Sequence, residues 1–196
     1  MKKKLILRPF DYYALLFFTT AFAGWLWEVL LYVVTDHTFV NRGVYRGPYL
    51  PIYGVGCVIL ILFLHKMRRQ PGLVFVISCL LCSTLEYFSG VWLEKKWGIR
   101  WWDYSEHKFN IRGHICLTSA IGFGLGGVFL ICLVQPIFNK YYHRMTIKMR
   151  VTLCVLFLLV FIADAAYSAA TPNTGTHIST LLFTQSNKLL NLVFLS

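Results

Sequence analysis

Residues 23–34 read AGWLWEVLLYVV, a run of Trp, Leu and Val with one carboxylic acid, Glu28, in its middle. The apolar pattern continues back to Tyr12, so residues 12–34 are long enough to cross a hydrocarbon core of about 30 Å, which takes roughly 20 residues of helix. A charged side chain near the bilayer centre costs about 2.5–3.5 kcal/mol on insertion scales. The fold is decided by the hydrophobic run, and the acid inside it has to be explained by where that helix faces.

The rest of the chain supports the same environment. It has 196 residues, 57% hydrophobic and only 14% charged, a balance that belongs to a membrane protein and not to a soluble domain. Basic clusters at residues 1–8, 65–69 and 139–150 separate apolar stretches of roughly bilayer length. The formal charge of +11 therefore reads as topology signals and contact with anionic headgroups, and nucleic acid is not an expected partner. The expected architecture is an all-α integral membrane protein: a bundle of about five transmembrane helices over residues 12–34, 49–64, 72–93, 115–138 and 151–170 with re-entrant or interfacial loop segments, forming a single polytopic membrane domain over residues 1–196.

Two segments admit alternatives. The start resembles a cleavable signal peptide, with Lys2–Lys4 and Ala21-Phe22-Ala23, but the hydrophobic run does not stop there, so an uncleaved first span is expected. Residues 49–64 are short and open with Pro48, Pro51, Gly54 and Gly56, which disfavour a straight helix and leave a re-entrant segment open. With that segment spanning, Lys and Arg are more numerous on the side of the N-terminus, which predicts a cytoplasmic N-terminus in a bacterial inner membrane. Residues 178–196 are interrupted by Thr184-Gln185-Ser186-Asn187-Lys188 and read as an interfacial tail.

Two more acids lie inside spans. Glu86 belongs to a stripe of Cys79, Cys82, Ser83, Glu86, Ser89 and Gly90 at three- and four-residue steps, and Thr20, Gly24 and Glu28 step by four on the first span. Asp164 has Ser168 four residues on. Small residues let helix backbones approach, so the three acids are expected to converge inside the bundle; the bland alternative is that each is neutralised or hydrogen-bonded to a neighbouring helix for structural reasons. The fourth span carries Gly122-x-x-x-Gly126 with Gly124 and Gly127, which points to close helix packing.

The loops supply polar candidates. Asn41, Arg42 and Arg46 sit among turn-forming glycines, and the two arginines are natural partners for buried carboxylates or for a phosphate headgroup. Trp97, Trp101, Trp102 and Tyr104 form an aromatic interface belt, with Asp103 held between two of its rings. The six cysteines, Cys57, Cys79, Cys82, Cys116, Cys132 and Cys154, fall in or beside apolar runs and read as buried thiols, and His65, His107 and His114 lack ligand spacing. No metal and no cofactor is expected.

Several motifs together, GWLWE, NRGVYRGPYLPIYGVG, LEYFSGVWLEKKWGIRWWDYS and FNIRGHICL, resemble the CmpB-type family of bacterial integral membrane proteins, named as ABC-transporter permeases. The likeness covers roughly residues 18–133, with a weaker Asp-x-x-x-Ser at Asp164, and departs at the glycine-rich fourth span. The resemblance implies functional positions at Glu28, Asn41, Arg42, Glu86, Trp102, Asp103 and Tyr104, already singled out, and adds Tyr53 and Asn110. It implies a transport component but no mechanism.

Three functions are compatible with these residues. In the first, a permease-like transport component binds substrate or couples protons in a polar intramembrane cavity lined by Glu28, Glu86 and Arg42; the chain has no G-x-x-x-x-G-K-[ST] motif, so an ATPase would be a separate subunit. In the second, an intramembrane enzyme acts on a lipid or lipid-linked substrate, with Glu86 or Asp103 as base and Arg42 as clamp for an anionic group; no nucleophile stands out. The third is a non-catalytic membrane adaptor.

Overall fold

The structure, a computed structural model, describes residues 8–37, 39, 41 and 43–173. The candidate Arg42 and the expected interfacial tail at residues 178–196 lie outside the described residues.

The described chain is all-helical apart from one isolated bridge between Ile111 and Ile115. Helix α1 is Phe10–Asp36, α2 is Pro51–Leu64, α3 is Pro71–Trp97, α4 is Leu117–Phe129, α5 is Gln135–Arg144 and α6 is Ile147–Ala170. A short π-helical stretch, Leu130–Val134, joins α4 to α5, so the two run on as one apolar rod over Leu117–Arg144. Pro136 explains the widened turn: it has no N–H to give and its ring would collide with the carbonyl four residues back. The backbone N–H of Gln135 bonds to Leu130 O, five residues earlier. Four helical segments are thus long and apolar enough to cross a membrane, as the hydropathy pattern requires of an all-α membrane protein.

Helix ends follow local chemistry. Pro71 opens α3, where a missing N–H costs nothing, and Gly98 closes it at φ 69°, a left-handed conformation that glycine adopts freely. Lys95 and Lys96 occupy its last turn, where the helix dipole favours cations. Helix α4 opens on a reciprocal cap: Ser119 N donates to Cys116 Sγ, and Cys116 N donates to Ser119 Oγ.

The short α2 has 14 residues, about 21 Å, less than the hydrocarbon thickness. Its far end nevertheless reaches the opposite side. Leu60, Ile61 and Leu64 pack with Tyr12, Leu15 and Leu16 at the start of α1, with Val74 at the start of α3, and with Leu130, Ile131 and Tyr142. The missing depth is supplied by residues 43–50, which descend into the bundle until Leu50 N bonds to Ala21 O in mid-helix. The segment is therefore a short helix preceded by a dipping loop, and the chain does not turn back to the side it entered from.

The molecule has two ends. One, the N-terminal face, gathers the start of α1, the 65–70 turn, α5 and the start of α6, and is fastened by Arg8 and Tyr12 on Asn139 and by Tyr142 and Arg150 on Asp11. The other, the loop face, gathers residues 43–50, residues 98–116 and the end of α6. Helix packing between α3 and α4 rests on Gly124 and Gly127, whose backbones lie against Cys79, Phe75 and Ser78. Gly122 and Gly126, the spaced pair visible in the sequence, face open space instead.

Candidate functional site

The first polar stripe does what its spacing suggests. Thr20 and Gly24 are buried, and the ring of Tyr53 from the first turn of α2 lies directly over Gly24, where any Cβ would collide with it. That approach aims the Tyr53 hydroxyl at Glu28, to which it donates at 2.6 Å. On the second stripe, Glu86 is 5% exposed and takes bonds from two further elements: Tyr104 OH donates to Oε1 at 3.0 Å, and Ser119 Oγ lies 3.2 Å from Oε2. Glu28 is close enough for its charge to act on Glu86 and on Tyr104, and Glu86 acts in turn on Tyr53. Two acids and two tyrosines from α1, α2, α3 and the 98–116 loop therefore meet at one place toward the loop face. Burial, and next the Glu86 carboxyl beside it, hold the Tyr104 phenol above the ordinary tyrosine value, so Tyr104 acts as donor in that bond.

The loop delivering Tyr104 is held by its own polar contacts. Trp102 Nε1 donates to His114 O at 3.0 Å, and the indole and the His114 ring both lie against Gly90, so the indole packs on α3. Asp103 is exposed and accepts from the backbone and hydroxyl of Ser105 at 2.9 and 2.5 Å; those hydrogen bonds, with Arg100 nearby, hold its carboxyl below the usual aspartate value. Asn110 donates to Ser105 O and His107 O and accepts from Gly113 N, which closes the loop on itself. Glu94 joins Arg100 at 2.7 Å and the buried His114 at 3.1 Å. All of these are contacts that shape the loop.

Asp164 is elsewhere. It accepts from Gly47 N at 2.9 Å, Arg46 N at 3.4 Å, Ser168 Oγ at 3.0 Å and the hydroxyl of Tyr49, so it pins residues 46–49 to α6. No hydrogen bond or ion pair among the described residues joins it to Glu28 or Glu86, and the expected meeting of three acids is a meeting of two. Arg46 serves Asp164 with its backbone, while its guanidinium is exposed and sits 5.4 Å above the Tyr167 ring, not on a buried carboxylate. Asn41 takes Trp25 Nε1 at 2.7 Å and donates to Arg46 O, shaping the same loop.

Three contributors carried no usable signal in the sequence. Ser119 and Tyr49 are lone polar residues beside apolar runs. Asn173, just past α6, donates to Asn41 O, Gly43 O and Val44 O and accepts from Trp101 Nε1, tying both loops together. Among the described residues no group of three or more His, Cys, Asp and Glu is arranged to hold a metal.

A family model described as "Putative ABC-transporter type IV" matches residues 15–169 of this chain. No curated protein and no solved structure matches it. The chain belongs to that family, as the motifs around Glu28, Tyr53, Glu86 and Asp103 imply.

Proposed function

With that membership as premise, we propose that this polytopic membrane protein is the permease-like subunit of a transporter whose working site is the Glu28, Tyr53, Glu86 and Tyr104 cluster. The observation that carries the reading is convergence: four side chains from four separate segments meet in two hydrogen-bonded pairs at one place, at the cost of bringing two carboxyl groups close together inside an apolar bundle. Packing alone would be served better by apolar side chains of the same volume, and a buried polar cluster at the junction of several elements is the form substrate and coupling sites take in membrane bundles.

Orientation follows from charge. On the N-terminal face Lys66, Arg68 and Arg69 join Lys140, Arg144 and Lys148 as exposed cations, whereas Asp11 is paired with Arg150. On the loop face cations alternate with Glu94, Asp103 and Glu106. The positive-inside rule then puts the N-terminal face in the cytoplasm of a bacterial inner membrane and opens the acid cluster toward the outer side. The chain carries no nucleotide-binding motif, so energy from ATP would enter through a separate ATPase docked on the cytoplasmic face, and an anionic or lipid-linked small molecule would have to use Arg42 as its clamp.

The test is uptake into vesicles holding the full chain together with the ATPase that co-purifies with it. ATP-dependent uptake abolished by Glu28→Gln and by Glu86→Gln supports the reading. Unchanged uptake in both variants, or substitutions that alter membrane lipid composition without altering uptake, sinks it.

A further inference from the structure

The chain between α3 and α4 lies beside a membrane span and not beyond its end. Ser119 meets Glu86 and Gly127 lies against Ser78, so α4 runs antiparallel to α3 and begins level with Glu86, three turns or about 16 Å short of the end of α3 at Trp97. Over those three turns residues 98–116 take the place of a neighbouring helix: Tyr104 bonds to Glu86, Trp102 and His114 lie against Gly90, and Glu94 holds Arg100. Helix α3 is about 40 Å long, the thickness of a bilayer with its headgroups, so this loop stands at the depth of the leaflet on the loop face.

Its tip has the composition of an interfacial anchor. Phe109 is 80% exposed, more than any other large apolar side chain among the described residues, and Ile111 is 54% exposed. Neither belongs to a membrane-spanning helix. Their backbone is firmly held: Asn110 donates to Ser105 O and His107 O and accepts from Gly113 N, while Ile111 N donates to Ile115 O. Phe109 sits at φ 56° and Arg112 at φ 51°, left-handed conformations that bulky side chains rarely adopt. The fold thus spends free energy to display an aromatic ring, and in water that display returns nothing. Lys108 and Arg112 beside it are exposed, and neither makes an ion pair among the described residues. Of the acids nearby, Glu106 is exposed and Asp103 is engaged with Ser105 and Arg100. An apolar centre with cations at its sides matches acyl chains lying under a layer of phosphates.

We propose that residues 107–112 are a membrane-binding foot: Phe109 and Ile111 enter the loop-face leaflet at the boundary between acyl chains and headgroups, and Lys108 and Arg112 bind phospholipid phosphates. A lipid surface is the partner, and not a soluble protein, because the tip is held alongside the span. The foot is independent of the permease reading.

Photo-cross-linking tests it, with the full chain in vesicles of phosphatidylethanolamine and phosphatidylglycerol. Phe109 is replaced by p-benzoylphenylalanine, the vesicles are irradiated, and the peptide containing position 109 is weighed by mass spectrometry. The same label in place of Leu125, 61% exposed on α4, sets the reference yield for a lipid-facing site and reports whether each variant has inserted. Position 109 should carry phospholipid adducts at a yield within several-fold of that reference. Lys108→Gln combined with Arg112→Gln should lower the yield at 109 several-fold and leave the reference unchanged. A yield at 109 an order of magnitude below the reference, adducts to protein in place of lipid, or a yield indifferent to the loss of both cations overturns the proposal. Transport does not enter the readout, so failure of the foot leaves the permease reading standing, and failure of uptake leaves the foot.

Discussion

Two loops each lower a tyrosine onto an acid inside the membrane, and they do it with different accompaniment. Residues 46–49 bring Tyr49 to Asp164 together with two backbone N–H groups, and Ser168 adds a fourth donor. Residues 98–116 bring Tyr104 to Glu86, where the other partner is a hydroxyl already engaged with α4. Four donors around one carboxylate make an anion site with every oxygen satisfied, and backbone N–H groups cannot turn away when the charge changes. Two hydroxyls can rotate. The first arrangement is a fastening, and the second can re-aim its donors.

The contrast breaks most easily at Asp164. Replacing it with Ala strands two backbone donors and two hydroxyls, and the lost and unsatisfied bonds should together cost about 2–3 kcal/mol. Thermal unfolding in detergent or nanodiscs reads this as a clear fall in midpoint, with residues 43–50 gaining hydrogen exchange first. A variant as stable as the wild type would mean that the loop is held by its contacts to Asn173 and Trp25 alone.

Next come the two serines. Ser119→Ala removes half of the reciprocal cap on α4 along with the partner of Glu86, for a loss of about 1–2 kcal/mol. Ser168→Ala removes one donor of four from Asp164, about 1 kcal/mol or less. Equal losses in the same unfolding measurement would say that the cap is decorative and that the two sites are alike.

How far this difference could be foreseen depended on what spacing encodes. Steps of three and four residues placed Glu28 with Thr20 and Gly24, and Glu86 with Ser83 and Gly90, and both stripes do face other helices. Spacing names a side of a helix but not the neighbour that will meet it. Asp164 looked equivalent to the two glutamates because its fate is decided by residues 43–50 dipping to the Ala21 carbonyl, a contact made by backbone and therefore invisible in side-chain pattern. The glycines make the same point. Gly122-x-x-x-Gly126 has the familiar spacing, yet it is Gly124 and Gly127 that touch α3. Ser119 and Asn173 are single polar residues that no periodicity could select.

A smaller effect separates the loops by acidity. Asp103 stabilises its loop through Ser105 and Arg100 in the charged form, and its folded-state value lies below the ordinary one. The stabilisation is therefore complete above the usual aspartate pKa of about 3.9 and is lost as pH falls through the depressed folded value. Trp fluorescence and hydrogen exchange over residues 98–116 should stay constant from neutrality down to about pH 4 and change below it. Asp103→Asn should show the loosened state at neutral pH and lack the transition. Since Tyr104 follows Asp103 in the chain, the same loosening should weaken the bond to Glu86 before residues 43–50 respond.

The smallest expected change in stability is the most discriminating. Glutamine has nearly the volume of glutamic acid; at position 86 its carbonyl can accept from Tyr104, and its N–H can reach Ser119 Oγ once that hydroxyl turns its proton to Cys116 O. Because both partners of Glu86 are hydroxyls, Glu86→Gln can keep its hydrogen bonds and should lie within about 0.5 kcal/mol of the wild type, the range of an innocuous substitution. Asp164→Asn is the matched case: its amide nitrogen must face donors from Gly47, Arg46, Ser168 or Tyr49, and donor against donor costs about 1–3 kcal/mol. The pair thus reports, by unfolding midpoint alone, which of the two acids is held by donors that cannot turn away. A Glu86→Gln variant as damaged as Asp164→Asn would make both acids fastenings and favour the adaptor reading, whereas an intact Glu86→Gln protein that no longer transports would locate the loss in the carboxyl group and not in the fold.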